Sequence, residues 1–319
     1  MMRAIAAYIL RGGLRATSVA VIAAVFSMAV MPLIHVSGAS IGLVTLRDSA
    51  LNGLKVSLGA AVIIWVLGLL SSLQTVPVQL FIAVVFFGVW LPAIFTAAVL
   101  RSKRDLGKAL IAAGAYAFVV LLMMYLVLGD VTAWWHEVLS AAFQMTLANS
   151  PSAINAADIT RAVDSLAEMM GGLLAMGIVI SIMINLFLAR WWQAALFNPG
   201  GFRQEFIQMR LDRRLAFVAL LVLVLGSVVS GALNGLGRDT MFLIMAMFSL
   251  QGLALVHAVA AAKNANTLWI IILYVLLMIM TLPVVMVLAA MGLTDSWMDF
   301  RKRFAFDGSS DGPSSGSDS

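Results

Sequence analysis

The chain contains no cysteine, only three histidines (His35, His136 and His257), and few charged residues, 11% of 319. The first absence removes disulfides and thiolate metal sites. The second leaves three imidazoles in unrelated segments, too few for a His-built metal centre, since zinc takes three or four N, S or O ligands. No metal ligand set and no cofactor are expected. The scarcity of charge excludes more. Soluble domains carry about 25% charged residues, and a chain that is 62% hydrophobic cannot cover a globule with water-compatible surface.

Lipid is therefore the expected solvent and first partner, and in lipid every backbone N–H and C=O must be satisfied within its own segment. That selects an all-α fold, a polytopic transmembrane helix bundle. A span takes about 20 apolar residues, and eight strong ones are read at 16–34, 54–73, 76–100, 106–128, 170–189, 215–233, 240–262 and 268–291. The first is long and lacks a small-residue cleavage site, so it reads as a retained helix and not a signal peptide. Between the first two spans, residues 37–46 are only weakly apolar. They predict one short or re-entrant helix.

Lys and Arg placement sets orientation. The segment 101–108 holds Arg101, Lys103, Arg104 and Lys108 against Asp105, and 190–214 holds five arginines against Glu205 and Asp212. Both belong in the cytoplasm of a bacterial inner membrane. The insertion 129–169 carries Asp130, Glu137, Asp158, Asp164 and Glu168 against Arg161 and belongs outside. Arg3, Arg11 and Arg15 fit only if residues 37–46 return the chain inward. The eighth span then sends Arg301, Lys302 and Arg303 outside, against the rule.

Within the insertion, Trp135, Val138, Ala142 and Met145, then Ile159, Val163, Leu166 and Met170, recur at helical spacing. They predict two amphipathic helices on the outer surface, broken at Asn149-Ser150-Pro151-Ser152 and restarted from an N-cap at Asn155. A lid and an interfacial anchor are both open readings. The membrane domain is placed at 1–306, and the Gly/Ser/Asp tail at 307–319 is expected to be disordered.

The most distinctive motif is Arg190-Trp191-Trp192-Gln193 followed by Asn198-Pro199-Gly200-Gly201-Phe202. The tryptophans suit the headgroup level, and the Gly pair could offer N–H groups to a phosphate. No Lys-Ser or Lys-Thr pair completes a nucleotide loop, so an anchored turn is the preferred reading. Ala16, Ala20 and Ala24 form a small-residue stripe on which a partner helix could dock. His257, Asn185 and Gln251 are the candidate ligand contacts in the spans, where no carboxylate pair stands to make a proton relay. No Gly-x-Ser-x-Gly, His-Glu-x-x-His or Walker pattern occurs, so no catalytic residue is assigned and no enzyme is expected. The charge of +5 forms no continuous stripe, which disfavours nucleic acid.

Leu43-Val44-Thr45-Leu46-Arg47, the 190–202 motif, and Asp295-Ser296-Trp297-Met298-Asp299-Phe300-Arg301 together resemble the YybS-like family of bacterial membrane proteins. The likeness runs to about Phe304, and it implies a polytopic membrane protein of unassigned function. More distantly, the alanine stripe, the short second segment, the glycines at 53 and 59 and the spans around an outer loop are similar to the substrate-binding subunits of energy-coupling factor transporters. That likeness, confined to 16–189 with 190–306 as additional helices, implies a small-solute binding or transport subunit. Its implied partners are a membrane coupling subunit, docked on Ala16, Ala20 and Ala24, and ATPases. The alternative is an envelope scaffold or assembly protein that carries no solute.

Overall fold

The computed structural model describes residues 2–70, 77–149, 156–228, 232–298, 300 and 301. Helices α1 (Met2–Ile9), α2 (Gly13–Phe26) and α3 (Leu33–Arg47) precede α4 (Ala50–Leu70). Next come α5 (Val78–Val85) and α6 (Leu91–Lys103), joined without a break by a π-helical turn at Phe86–Trp90, then α7 (Leu106–Leu128), α8 (Val131–Asn149) and α9 (Ala156–Phe197). The chain continues through α10 (Gly201–Gln208), α11 (Arg213–Val228), α12 (Ala232–Ala262), α13 (Thr267–Ile279) and α14 (Thr281–Met298). No strand occurs among the described residues. The π turn has a local cause: Pro92 has no N–H to offer the Gly88 carbonyl, so the ladder widens just before it.

Among the described residues, six helices are long and apolar enough to cross a membrane: α4, the α5–α6 unit, α7, α9, α12 and α14. The expectation of eight strong spans is not confirmed. Among the other helices, Gly13–Phe26, Leu33–Arg47 and Thr267–Ile279 are shorter apolar ones, and the segment read as the 215–233 span forms α11, described over 16 residues. Residues 229–231 lie outside the described set.

The expected first span, 16–34, is broken. Helix α2 ends at Phe26, and α3 starts at Leu33 directly after Pro32. The two run antiparallel, because Ser37 Oγ donates to the Ala20 carbonyl at 2.8 Å, while Gly12, Gly13 and Val44 line one cavity at the other end. At 14 and 15 residues, each arm is about 21–23 Å long, shorter than a bilayer core of about 30 Å. Residues 37–46 are therefore one arm of a helical hairpin, and every one of them is buried. Their weak hydrophobicity follows from being surrounded by protein instead of lipid. Gly38 and Gly42 let α9 approach, with Asn185 and Ala189 sitting where their Cβ atoms would be.

The expected last span, 268–291, is also two helices. Met280 leaves the helical region (φ −124°, ψ 56°) between α13 and α14. Pro283 explains the break, since its ring clashes with the Ile279 carbonyl of a continuous helix but is tolerated in the first turn of a new one. Helix α14 then returns alongside α12, and its C-terminal end lies at the start of α11. There Arg210 Nη2 donates to the Asp295 carbonyl at 2.7 Å, and Arg213 Nε donates to the Ser296 carbonyl at 3.1 Å. Arg301 Nη2 donates to the Met209 carbonyl at 2.8 Å. The conflict over Arg301 thus disappears, because it lies at the same end of the bundle as the arginines of 190–214.

At the opposite, acidic end, α9 departs from the expected pair of separate surface helices. Its 42 residues run unbroken from the amphipathic segment through the expected 170–189 span to Phe197, about 63 Å at 1.5 Å per residue. Asn155, the expected N-cap, and the tail 307–319 lie outside the described residues. The core is shared across residue 190. Met247 of α12 fills the notch at Gly114 of α7, and one hydrophobic cluster includes residues from α2 to α14.

Candidate anion-binding site at the basic end

Helix α9 carries Arg190 near its C-terminal end, and the Asn198-Pro199-Gly200-Gly201 turn brings α10 back beneath it. The turn needs Gly200, and Gly201 gives the Asn198 side chain room. Gly200 has φ 86°, and a Cβ on Gly201 would lie 2.8 Å from Asn198 Cγ. The reversal sets Glu205 against Arg190 side-on: Nε donates to Oε2 at 2.8 Å, Nη2 donates to Oε1, and Nη1 donates to Gln193 Oε1 at 3.1 Å. A fork of this kind is the strong form of ion pair. The Arg190 side chain is 12% exposed and that of Glu205 35%.

Beside this pair opens a cavity of about 350 Å³, lined by Leu46, Leu100, Arg101, Arg104, Arg190, Gln193 and Glu205. Arg104 caps α6 in the left-handed region (φ 51°, ψ 38°), its N–H donating to the Leu100 carbonyl at 2.8 Å. That conformation costs a residue with a Cβ about 1–2 kcal/mol. Asp105 follows as the N-cap of α7, accepting from the Gly107 and Lys108 amides, so the tight turn is held from both sides. The guanidinium groups of Arg101 and Arg104 have no partner among the described residues. Three cations facing one carboxylate make a concave, net-positive site suited to an oxyanion.

The residues singled out from the sequence are not brought together. Asn185 is buried on α9, where Oδ1 bonds His35 Nδ1 at 2.8 Å, while its Nδ2 has no partner. Gln251 is buried on α12, accepting from the Leu211 amide at 3.0 Å and donating to the Gly292 carbonyl at 2.8 Å. His257 bonds the Leu253 carbonyl through Nδ1 and packs its ring edge-on between Phe206 and Tyr274. Trp191 is exposed as a headgroup anchor should be, but Trp192 is 1% exposed and belongs to the core. Ala16, Ala20 and Ala24 are fully buried within the chain's own bundle, so the stripe is not available to a coupling subunit.

Two buried carboxylates also correct the reading that the spans hold none in a pair, although they sit at opposite ends and form no relay. Asp295 on α14 is fully buried, with Oδ2 3.8 Å from Arg210 Nε and 3.6 Å from Arg301 Nη2. Asp239 on α12, 1% exposed, accepts from Tyr125 Oη at 2.9 Å. Next to it Arg238 lies 3.5 Å from Glu168 and donates to Thr132 Oγ1 at 3.3 Å, which ties together α8, α9 and α12. Both aspartates had fallen just beyond the hydropathy-drawn edges of the spans. Glu205 was legible only as a charge on a polar face, since nothing in the spacing of 190 and 205 announces a fork.

The architecture defines a polytopic helical membrane protein. Residues 18–296 match the family described as predicted membrane protein (DUF2232), and the chain belongs to that family, in agreement with the YybS-like resemblance. No curated protein and no solved structure matches the chain. The likeness to energy-coupling factor subunits gains nothing from these comparisons.

Proposed function

We propose that this protein is a non-enzymatic solute-binding subunit of a bacterial inner-membrane transport system, and that it binds a small anion in the arginine-lined cavity. The basic end then faces the cytoplasm, following the distribution of Lys and Arg. The observation that carries the reading is the set Arg101, Arg104 and Arg190, on two helices, around a cavity of about 350 Å³ balanced by Glu205 alone. This cavity and the one beside Lys55 both lie away from α8, which was read as a possible lid. The test is equilibrium dialysis of the full-length protein, in a phosphate-free detergent, against a panel of small inorganic and organic anions. Arg104→Ala should weaken binding of whichever anion is held about tenfold, the order expected for a charge-assisted contact. Failure of every anion to bind, or binding untouched by Arg104→Ala, would sink the reading.

The scaffold alternative is favoured by one feature. At the acidic end, the Arg238, Glu168, Thr132, Tyr125 and Asp239 side chains connect the helices under α8. Stable co-purification of other envelope proteins without any bound anion would promote it.

A further inference from the structure

Resting on that reading, we propose that the cavity takes a phosphate group and that Glu205 holds its place: binding exchanges the Glu205 carboxylate for phosphate oxygens on Arg190 and frees α10. Two features of the ion pair point to this exchange. The Arg190 fork meets both oxygens of Glu205 through Nε and Nη2, the same arrangement by which a guanidinium grips two oxygens of a phosphate. The resident carboxylate is the movable partner. Glu205 is about a third exposed and can return to water, whereas Arg190 is 12% exposed and keeps its need for an anion.

Charge then selects the class of ligand. Once Glu205 has left, Arg101, Arg104 and Arg190 face the cavity uncompensated, and a phosphate dianion balances them better than a monocarboxylate. Helix α10 is short and set off from its neighbours by non-helical residues. It is eight residues long, bounded by the left-handed Gly200 at one end and by the non-helical Met209 (φ −58°, ψ 123°) at the other. Aromatic contacts hold it to the bundle and must shift in the exchange: Phe202 and Phe206 pack on Phe187, and Phe206 packs on His257, while Met209 at its end is buried in the core. The phosphate can arrive from two sources, a soluble phosphate or the headgroup of an anionic lipid, for which Leu46 and Leu100 supply an apolar wall.

The absence of cysteine makes a direct test clean. Spin labels at Lys103→Cys and Gln204→Cys, both exposed positions on α6 and α10, report the distance between the two helices in the full-length protein. One arm titrates inorganic phosphate, and the other titrates short-chain phosphatidic acid into phosphate-free detergent, each against chloride at matched ionic strength. We expect one probe to bind and to lengthen the label distance, and Glu205→Gln to tighten that binding roughly fivefold, the order expected from removing a partly exposed competing charge. Saturation by phosphate alone identifies a soluble ligand, and saturation by phosphatidic acid alone identifies a lipid. Binding with an unchanged distance, or with no gain in Glu205→Gln, overturns the exchange while leaving the anion cavity standing. Binding of other anions but of neither probe overturns the phosphate assignment. No binding of any anion overturns both.

Discussion

Gly252 of α12 and Gly292 of α14 cross with their backbones in contact: a Cβ added to Gly292 would lie 2.8 Å from the Gly252 amide nitrogen. Without side chains at the crossing the two helices pack along one another, which fixes α14 against the bundle although α13, its neighbour in sequence, has no buried residue. Replacing either glycine by leucine must push the helices apart, and neither backbone can give way as a side chain could. A loss of about 3 kcal/mol or more is expected, at the upper end of overpacking penalties. Thermal unfolding of Gly292→Leu in detergent measures it, and a midpoint within a degree of wild type would show that the helices do not cross there.

Gln251 is the polar clasp beside that crossing. Its side chain serves the Leu211 amide on one side and the Gly292 carbonyl on the other, so Gln251→Leu strands the buried Leu211 N–H, whereas the Gly292 carbonyl still accepts from Ser296 Oγ at 3.4 Å. The cost should be about 1–3 kcal/mol. Asp295→Ala should cost more, about 3 kcal/mol, because it removes the carboxylate shared by Arg210 and Arg301 from a buried position. Chemical denaturation of both variants orders them, and the reverse ranking would mean that the ion cluster is largely solvated.

The α13–α14 hairpin fixes which face each end of the chain's last third occupies. With no native cysteine, Met298→Cys and Gln204→Cys should react with an impermeant maleimide from one side of sealed vesicles, and Trp134→Cys from the other. All three positions are exposed. Labelling of Met298→Cys from the same side as Trp134→Cys would restore a single final span.

His35 and Asn185 meet near the tip of the α2–α3 hairpin. Removing the amide in Asn185→Leu leaves the imidazole without its 2.8 Å partner and places a branched side chain where Gly38 has none. Destabilisation of about 2 kcal/mol is expected from the combined loss, with Asn185→Asp tolerated better because it still accepts from His35. Equal losses in the two variants would show that the hydrogen bond contributes nothing.

Much of this was legible in the sequence because lipid imposes a simple rule. Long apolar segments had to become helices, so α4, the α5–α6 unit, α7 and the central part of α9 came out where hydropathy put them. Residues 37–46 were singled out as too short and too weakly apolar for an ordinary span, and they lie in the 15-residue α3. What hydropathy cannot see is a reversal inside an apolar run. Residues 27–32 and 280–283 are nearly as hydrophobic as their flanks, and the breaks are set by Pro32 and Pro283 acting on backbone geometry.

The basic-end site depended on more than composition. Arg101 and Arg104 sit about 90 positions before Arg190, and Glu205 is another 15 beyond it. Each looked like ordinary loop charge under the positive-inside rule. Only the folded chain decides that the α6–α7 turn, the end of α9 and the start of α10 share one corner.

Sequence alone determined that this chain is a helical membrane protein with a basic and an acidic end, because solvent transfer and charge placement act on each segment independently. Tertiary structure alone decided the hairpins, the burial of the alanine stripe, the Gly252–Gly292 crossing and the Arg190–Glu205 fork. Those depend on which faces meet, and in lipid that choice is made by close packing and by the pairing of a few polar groups, not by hydrophobicity.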